Sequence, residues 1–230
     1  MSAPLPPGQF LLKQMPRFGL GRFARRFPAD PSRLHLAIGG DVETTVVVGA
    51  SDIAALPRVE RVADFHCVTT WSVQGLHWSG VRFADFYAQV VQARARPADD
   101  ARLVVLHGED GYRSSLPLDD LLSGEVLLAD QLDGAPLTIE HGAPMRLVAP
   151  AHYGYKNVKH VSRIEFWRDA RHYRFPAPYP SFMDHPRARV AFEERGRGVP
   201  GWVLRVYRLL IPFSILNFRS AMRRYRARNG

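Results

Sequence analysis

At 230 residues, 46% of them apolar, the chain can build one substantial core but not two large domains, and its composition excludes a disordered or low-complexity protein. The formal charge of +9 is unevenly placed: 13 basic and 3 acidic side chains lie between Arg171 and Gly230, leaving 18 and 19 for residues 1–170. A near-neutral body with a basic tail excludes a fold organised as a whole around nucleic acid, and a single cysteine excludes an internal disulfide.

Residues 1–33, rich in Pro, Phe and Arg without a clear period, read as an extended arm lying over the domain. The opening MSAPLPPGQF carries no apolar signal region, and nothing requires an oxidising compartment, so the cytoplasm is expected. HLAIGG and ETTVVVGA, around Gly39-Gly40, predict a hairpin or two neighbouring strands; Ser51 and DIAALP predict a capped helical turn stopped by Pro57. VERVADFHC reads as a strand that delivers Cys67 to its end. Phe83, Tyr87, Val90 and Val91 share a face at helical spacing and predict a core-packed helix.

LVVLHG and YRSSLPL predict two short strands, and DDLLS a short helix after Pro117. VLLADQLDG and PLTIEHG flank a turn at Asp133-Gly134 and predict a hairpin. MRLVAP and HVSRIEFW are the last predicted strands, separated by the loop AHYGYKNVK. Short helices scattered among many strands give an α+β class with a mixed, mainly antiparallel sheet. No internal repeat and no glycine-rich phosphate loop appears. The expected organisation is an arm over 1–33, a domain over 34–175 and a basic extension over 176–230.

Cys67 follows His66 and precedes Val-Thr-Thr-Trp-Ser, so polar groups gather at a strand end where a core cysteine normally has apolar neighbours. A thiol there suits a metal or a nucleophilic role, both of which use the thiolate. Trp71 and Ser72 read as pocket or support residues. His66 and His107 read equally as pocket residues and as structural histidines.

FHCVTTWS, EHGAPMRLVAP and YGYKNVKHVSRIEF occur in that order, and together they resemble the molybdopterin-binding domain of the sulfite oxidase family, particularly its small bacterial members without a haem domain. The resemblance runs from about Leu34 to Phe166. It implies a molybdenum held by Cys67 and by the two dithiolene sulfurs of a pyranopterin, with oxo or water ligands completing the site. It further implies cofactor contacts from His66, His141, Arg146, Asn157, the backbone at Val158, and Lys159. The chemistry implied is two-electron oxygen-atom transfer on a small sulfur or oxo substrate, with an external electron carrier, since no haem or flavin motif is present. Where sulfite oxidases carry an arginine shortly after the cysteine this chain has Thr69 and Thr70, and His141 stands where relatives often have Asn.

Two other readings stand beside this one. The basic extension makes a nucleic-acid-binding or interaction protein conceivable, although the body lacks a binding motif and no nucleic acid is expected. A cysteine-nucleophile hydrolase needs a base that the sequence does not place. Within the extension, Trp202 to Leu216 is interrupted by Arg205, Arg208 and Pro212, too short and too charged to span a bilayer. Trp202, Val206, Leu209 and Leu210 can share one helical face, which predicts an amphipathic segment for an acidic protein or an anionic membrane surface, or a helix packed on the body.

Overall fold

A computed structural model describes residues 4–175, 185–196 and 201–229, without the side chains of 201–205, 207, 228 and 229. Two sheets carry the site. In the first, β4 (Arg58–His66) and β5 (Trp71–Arg82) run antiparallel from Arg58↔Val81 to His66↔Ser72. The other edge of β5 takes β8 (Leu127–Leu132) antiparallel, and β1 (Phe10–Leu11) parallel at Trp71 and Ser72. Beyond β8 lies β10 (Arg146–Val148), while β9 (Ala135–Pro136) also pairs with β8. At Gly80 a Cβ would meet the Leu128 carbonyl oxygen and the Ala129 Cα, so only glycine lets these strands approach as they do.

The second sheet runs β3–β2–β11–β6–β7, with β3 at Val46–Val48, β2 at Leu36–Gly40, β11 at Val161–Trp167, β6 at Leu103–Gly108 and β7 at Arg113–Pro117. Only the β2–β11 pair is parallel there. The period-2 pattern of β11 turns Val161, Ile164 and Phe166 inward. They join one cluster with Leu36, Ile38, Leu106 and Leu116 of the second sheet and with Val81, Leu128 and Leu147 of the first. The architecture is the expected α+β, mainly antiparallel one, and the short helices α2 (Ala50–Ala54) and α4 (Leu118–Leu121) stand where the sequence puts them.

Three local features differ from the sequence reading. WSVQGLHWSGVR, unassigned from sequence, is the long strand β5, buried on both faces at its ends. PLTIEHG pairs only at Pro136; beyond it the backbone N–H groups of His141, Gly142 and Ala143 all turn back to the Thr138 carbonyl. The predicted core helix begins as α3 (Phe83–Phe86) and continues over Tyr87–Ala95 in wider turns, with Arg96 N–H donating to the Val91 carbonyl at 3.0 Å. The extra residue per turn keeps Val90, Val91 and Ala95 inward and leaves Tyr87 only partly buried.

Helix α5 (Gly201–Asn229) packs on the body through a face other than the Val206, Leu209 and Leu210 one. Ile211, Phe218 and Met222 are buried, with Ile215 and Tyr225 beside them on the same stripe. That stripe meets the arm: Phe218 lies edge-on to Phe18 at 5.8 Å, Tyr225 stacks on Phe27 at 4.4 Å, and Arg208 sits over Phe10 at 4.3 Å. Val206, Leu209 and Leu210 point outward, and the side chain of Trp202 is outside the described residues. The arm itself holds β1 and α1 (Gly21–Ala24) and is anchored by Arg17, which donates to the carbonyls of Ala24, Arg26 and Ile139.

Candidate active site around Cys67

The turn between β4 and β5 presents Cys67. Its N–H donates to the Trp71 carbonyl at 2.8 Å, and its own carbonyl accepts from Thr70 N–H at 3.1 Å and from the Gln9 amide at 3.0 Å. Thr70 adopts φ +81°, a left-handed conformation that threonine rarely takes, so the surrounding contacts hold the turn in a costly shape. Gln9 extends the hold: its Oε1 accepts from Ser72 Oγ at 3.2 Å, and Ser72 Oγ lies 2.8 Å from His66 Nδ1.

Cys67 is 8% exposed, and its Sγ lies 3.0 Å from Thr69 Oγ1. Burial pushes the thiol pKa up to about 11, so the unliganded side chain is a neutral SH. Met15, Phe65 and Trp71 pack around it, yet one side opens on a cavity of about 90 Å³. Arm residues Met15–Phe18 form one wall, and Asp110, Tyr112, Tyr155, Asn157 and Lys159 the others.

The electrostatics of this cavity are one-sided. Among the described residues Lys159 Nζ donates to the carbonyls of Glu140 (3.2 Å) and Phe18 (3.4 Å), and the hydrogen bonds of the Arg17 guanidinium all go to carbonyls. Arg146, fully buried just behind, donates to the carbonyls of His141 and Leu147, and more weakly to Asn157 at 3.5 Å, and stacks over Trp78 and Phe65. Among the described residues none of these three cations forms a salt bridge. Burial depresses all three, Arg146 to about 9, and the other nearby positive groups lower Lys159 further. Among the described residues Asp110 is the one carboxylate on the wall; burial raises its pKa while Tyr112 N–H, Lys159 and Arg17 pull it down. The indole N–H of Trp71 is buried with no acceptor. Three desolvated cations and a free donor call for a bound anion with several acceptor atoms.

The sequence-derived residues divide between the wall and its backing. Cys67, Asn157 and Lys159 share the cavity, with Trp71. Asn157 Oδ1 accepts from Ala149 N–H at 2.7 Å, which fixes the loop. Arg146 stands behind Phe65 instead of forking into the open space, and it is no surface ion pair. Val158 is buried in the core, its N–H donating to Lys156 and its carbonyl accepting from Leu147.

His66 turns to Ser72. His141 Nε2 faces the Met15 carbonyl at 3.1 Å and so donates, leaving Nδ1 to accept from Thr138; burial lowers its pKa, and it tethers the arm. His107 pairs with Glu165 on the second sheet at 3.0 Å. Lys156 is buried against the Ser115 carbonyl, no solvated loop charge.

Sequence reasoning missed Gln9, Arg17, Asp110, Tyr112 and Tyr155. The first two belong to the arm, where no local pattern marks them. Tyr155 lay within a motif already noted, and its bulk beside Gly154 was the available clue: at Gly154 a Cβ would strike the Phe65 ring, so the loop closes onto that aromatic only through a glycine.

Comparison with known proteins bears on this geometry. The family model of the oxidoreductase molybdopterin-binding domain matches residues 24–174. The uncharacterised oxidoreductase YuiH of Bacillus subtilis is 35% identical over 168 residues, covering 73% of this chain and 81% of YuiH. MsrP of Xanthomonas axonopodis pv. citri, a protein-methionine-sulfoxide reductase catalytic subunit, is 29% identical over 70% of this chain and 56% of its own length. A putative protein-methionine-sulfoxide reductase subunit, YedZ1 of Azospira oryzae, is 32% identical over 59% of this chain, which spans 49% of that protein. The sulfane dehydrogenase SoxCD of Paracoccus pantotrophus matches in fold at a TM-score of 0.53 and 24% identity, over 62% of this chain and 40% of that one. The chain belongs to the oxidoreductase family built on the molybdopterin-binding domain.

Proposed function

We propose that the protein is a molybdenum-cofactor oxidoreductase that moves an oxygen atom to or from a small sulfur or oxo substrate, with Cys67 as the protein's ligand to the metal. The observation that carries this reading is a single thiol facing a cavity whose cations, Lys159 and Arg17, form no salt bridge among the described residues. When bound, the cofactor supplies the two-electron couple and the exchangeable oxygen.

The chain's own residues do the rest. Gln9, Thr70 and Trp71 hold the Cys67 turn so that Sγ faces the cavity. Lys159 and Arg17 supply positive charge for the pterin phosphate, Asn157 holds the loop that carries Lys159, and Arg146 adds field from behind the wall. Met15, Phe65 and Trp71 pack against the other sides of Cys67. A pyranopterin needs more room than the present cavity, and the wall able to yield is the Met15–Phe18 stretch between β1 and α1, held by side-chain hydrogen bonds where the opposite walls are strand ends and a turn-rich loop. Asp110 lines the same cavity, and its carboxyl group accepts from Tyr112 N–H at 2.9 Å, which ties it to that wall.

A sulfur substrate is favoured by the named activities of the relatives, and the absence of an arginine directly after Cys67 favours a neutral sulfoxide over sulfite. We place the protein in a reducing cytoplasm on the strength of its one unpaired cysteine, and assign electron supply to an external carrier. The basic α5 is the surface we assign to an anionic partner. The test is dye-coupled turnover on methionine sulfoxide, dimethyl sulfoxide and sulfite. Sulfoxide reduction that Cys67→Ser abolishes supports the reading; turnover unchanged by that substitution overturns it.

A further inference from the structure

Helix α5 has two apolar faces, and among the described residues only one packs on the body. Ile211, Ile215, Phe218 and Met222 lie against the arm. On the opposite side Val206, Leu209, Leu210, Phe213 and Leu216 recur at i, i+3, i+4, i+7 and i+10 with exposures of 49%, 72%, 49%, 69% and 58%. Five large apolar side chains on one exposed stripe are more than scattered surface hydrophobics. The helix also carries seven arginines and no acidic residue. Arg219, Arg223 and Arg224 are exposed just beyond the stripe, and Arg208 flanks it.

We infer that this outer face of α5 docks the protein on an anionic phospholipid surface, lying flat with Leu209, Phe213 and Leu216 in the outer hydrocarbon and the arginines among the phosphates. The charge pattern selects this occupant. A second copy would set arginine against arginine, with no carboxylate on either helix for relief. Nucleic acid offers phosphate but no apolar layer for Phe213. A bilayer surface offers both, in the order the helix presents them. No helix among the described residues is long and apolar enough to cross a membrane, so the contact is one of lying on the surface.

The inference stands independently of the chemistry at Cys67, and its test reads no turnover. The full chain is sedimented with phosphatidylcholine vesicles and with vesicles that also contain phosphatidylglycerol. The expected result is co-sedimentation with the anionic vesicles only, weakening as salt rises. Leu209→Ser with Phe213→Ser, and separately Arg219→Gln with Arg223→Gln, should each lower the partition about tenfold or more. All four side chains are exposed, so circular dichroism and the melting temperature should stay as in the parent protein. Failure to bind either vesicle overturns the inference. So does equal binding by the parent and both variants, or a dimer in solution that the Leu209/Phe213 variant dissolves.

Discussion

Replacing Lys159 with methionine separates a ligand-binding cation from a structural one, because the two roles demand opposite signs in the cofactor-free protein. The ammonium donates to two carbonyls at 3.2 and 3.4 Å, forms no salt bridge among the described residues, and feels Arg146 and Arg17 nearby. Methionine keeps the stem and removes the charge. Loss of two long charge-assisted hydrogen bonds costs about 1–3 kcal/mol, against relief of a desolvation penalty of several kcal/mol. Part of the residue's surface faces the cavity, which trims that penalty. A net gain of roughly 1–2 kcal/mol for the cofactor-free protein follows, which raises its melting temperature by about 2–8 °C.

The pH dependence has a definite sign. The folded pKa of Lys159 lies well below 10.5, so between the two values the unfolded chain binds more protons and stability rises with pH. Lys159→Met should flatten that slope. Protein made in a host that cannot synthesise pterin, melted near pH 7 and pH 9, supplies the comparison. The same variant made in a competent host should contain little cofactor. A melting temperature several degrees lower in the cofactor-free variant would refute the reasoning.

Other perturbations test the frame around the site. Gly80→Ala drives a methyl into the Leu128 carbonyl and should destabilise the fold by about 1–3 kcal/mol in a urea titration. Phe65→Ala removes the ring between Trp71 and Arg146 and should lower stability by about 3–5 kcal/mol by the same assay. Arg189 holds the Glu194 carboxyl down to about 2, so its contribution is present above the ordinary glutamate range and disappears as pH falls through about 2. Glu194→Gln should therefore melt below the parent protein at pH 6 and together with it near pH 2.

The fold was legible where one face of an element is dry and the other wet. Val161, Ile164 and Phe166 announce β11, and Val46–Val48 beside the turn announces β3. Strand β5 was hidden because Trp71, Ser72 and Val73 are all buried, as are Trp78 to Val81, which erases the alternation. The exposed stripe of α5 was legible from Val206, Leu209 and Leu210, but its buried stripe through Ile211, Phe218 and Met222 was not, because two apolar stripes share one helix.

At the site, Cys67, Asn157 and Lys159 were recognisable as motif residues close to one another in purpose. Arg17 reaches the cavity, and Gln9 the Cys67 turn, only because the arm folds back along β5, a contact between segments more than fifty residues apart that no local pattern encodes. Arg146 and His141 carried the motif, but their surroundings were not legible: one lies behind an aromatic ring, the other holds a carbonyl of the arm.

The central claim is that the Cys67 sulfur completes a molybdenum site, and metal with pterin content measures it most directly. Protein from a host competent in cofactor synthesis should carry about one molybdenum and one pterin per chain. Cys67→Ser should lose the metal while keeping its fold, since the side chain changes by a single atom. A parent protein free of molybdenum under those conditions, or a serine variant that retains the parent's full content, would contradict the account.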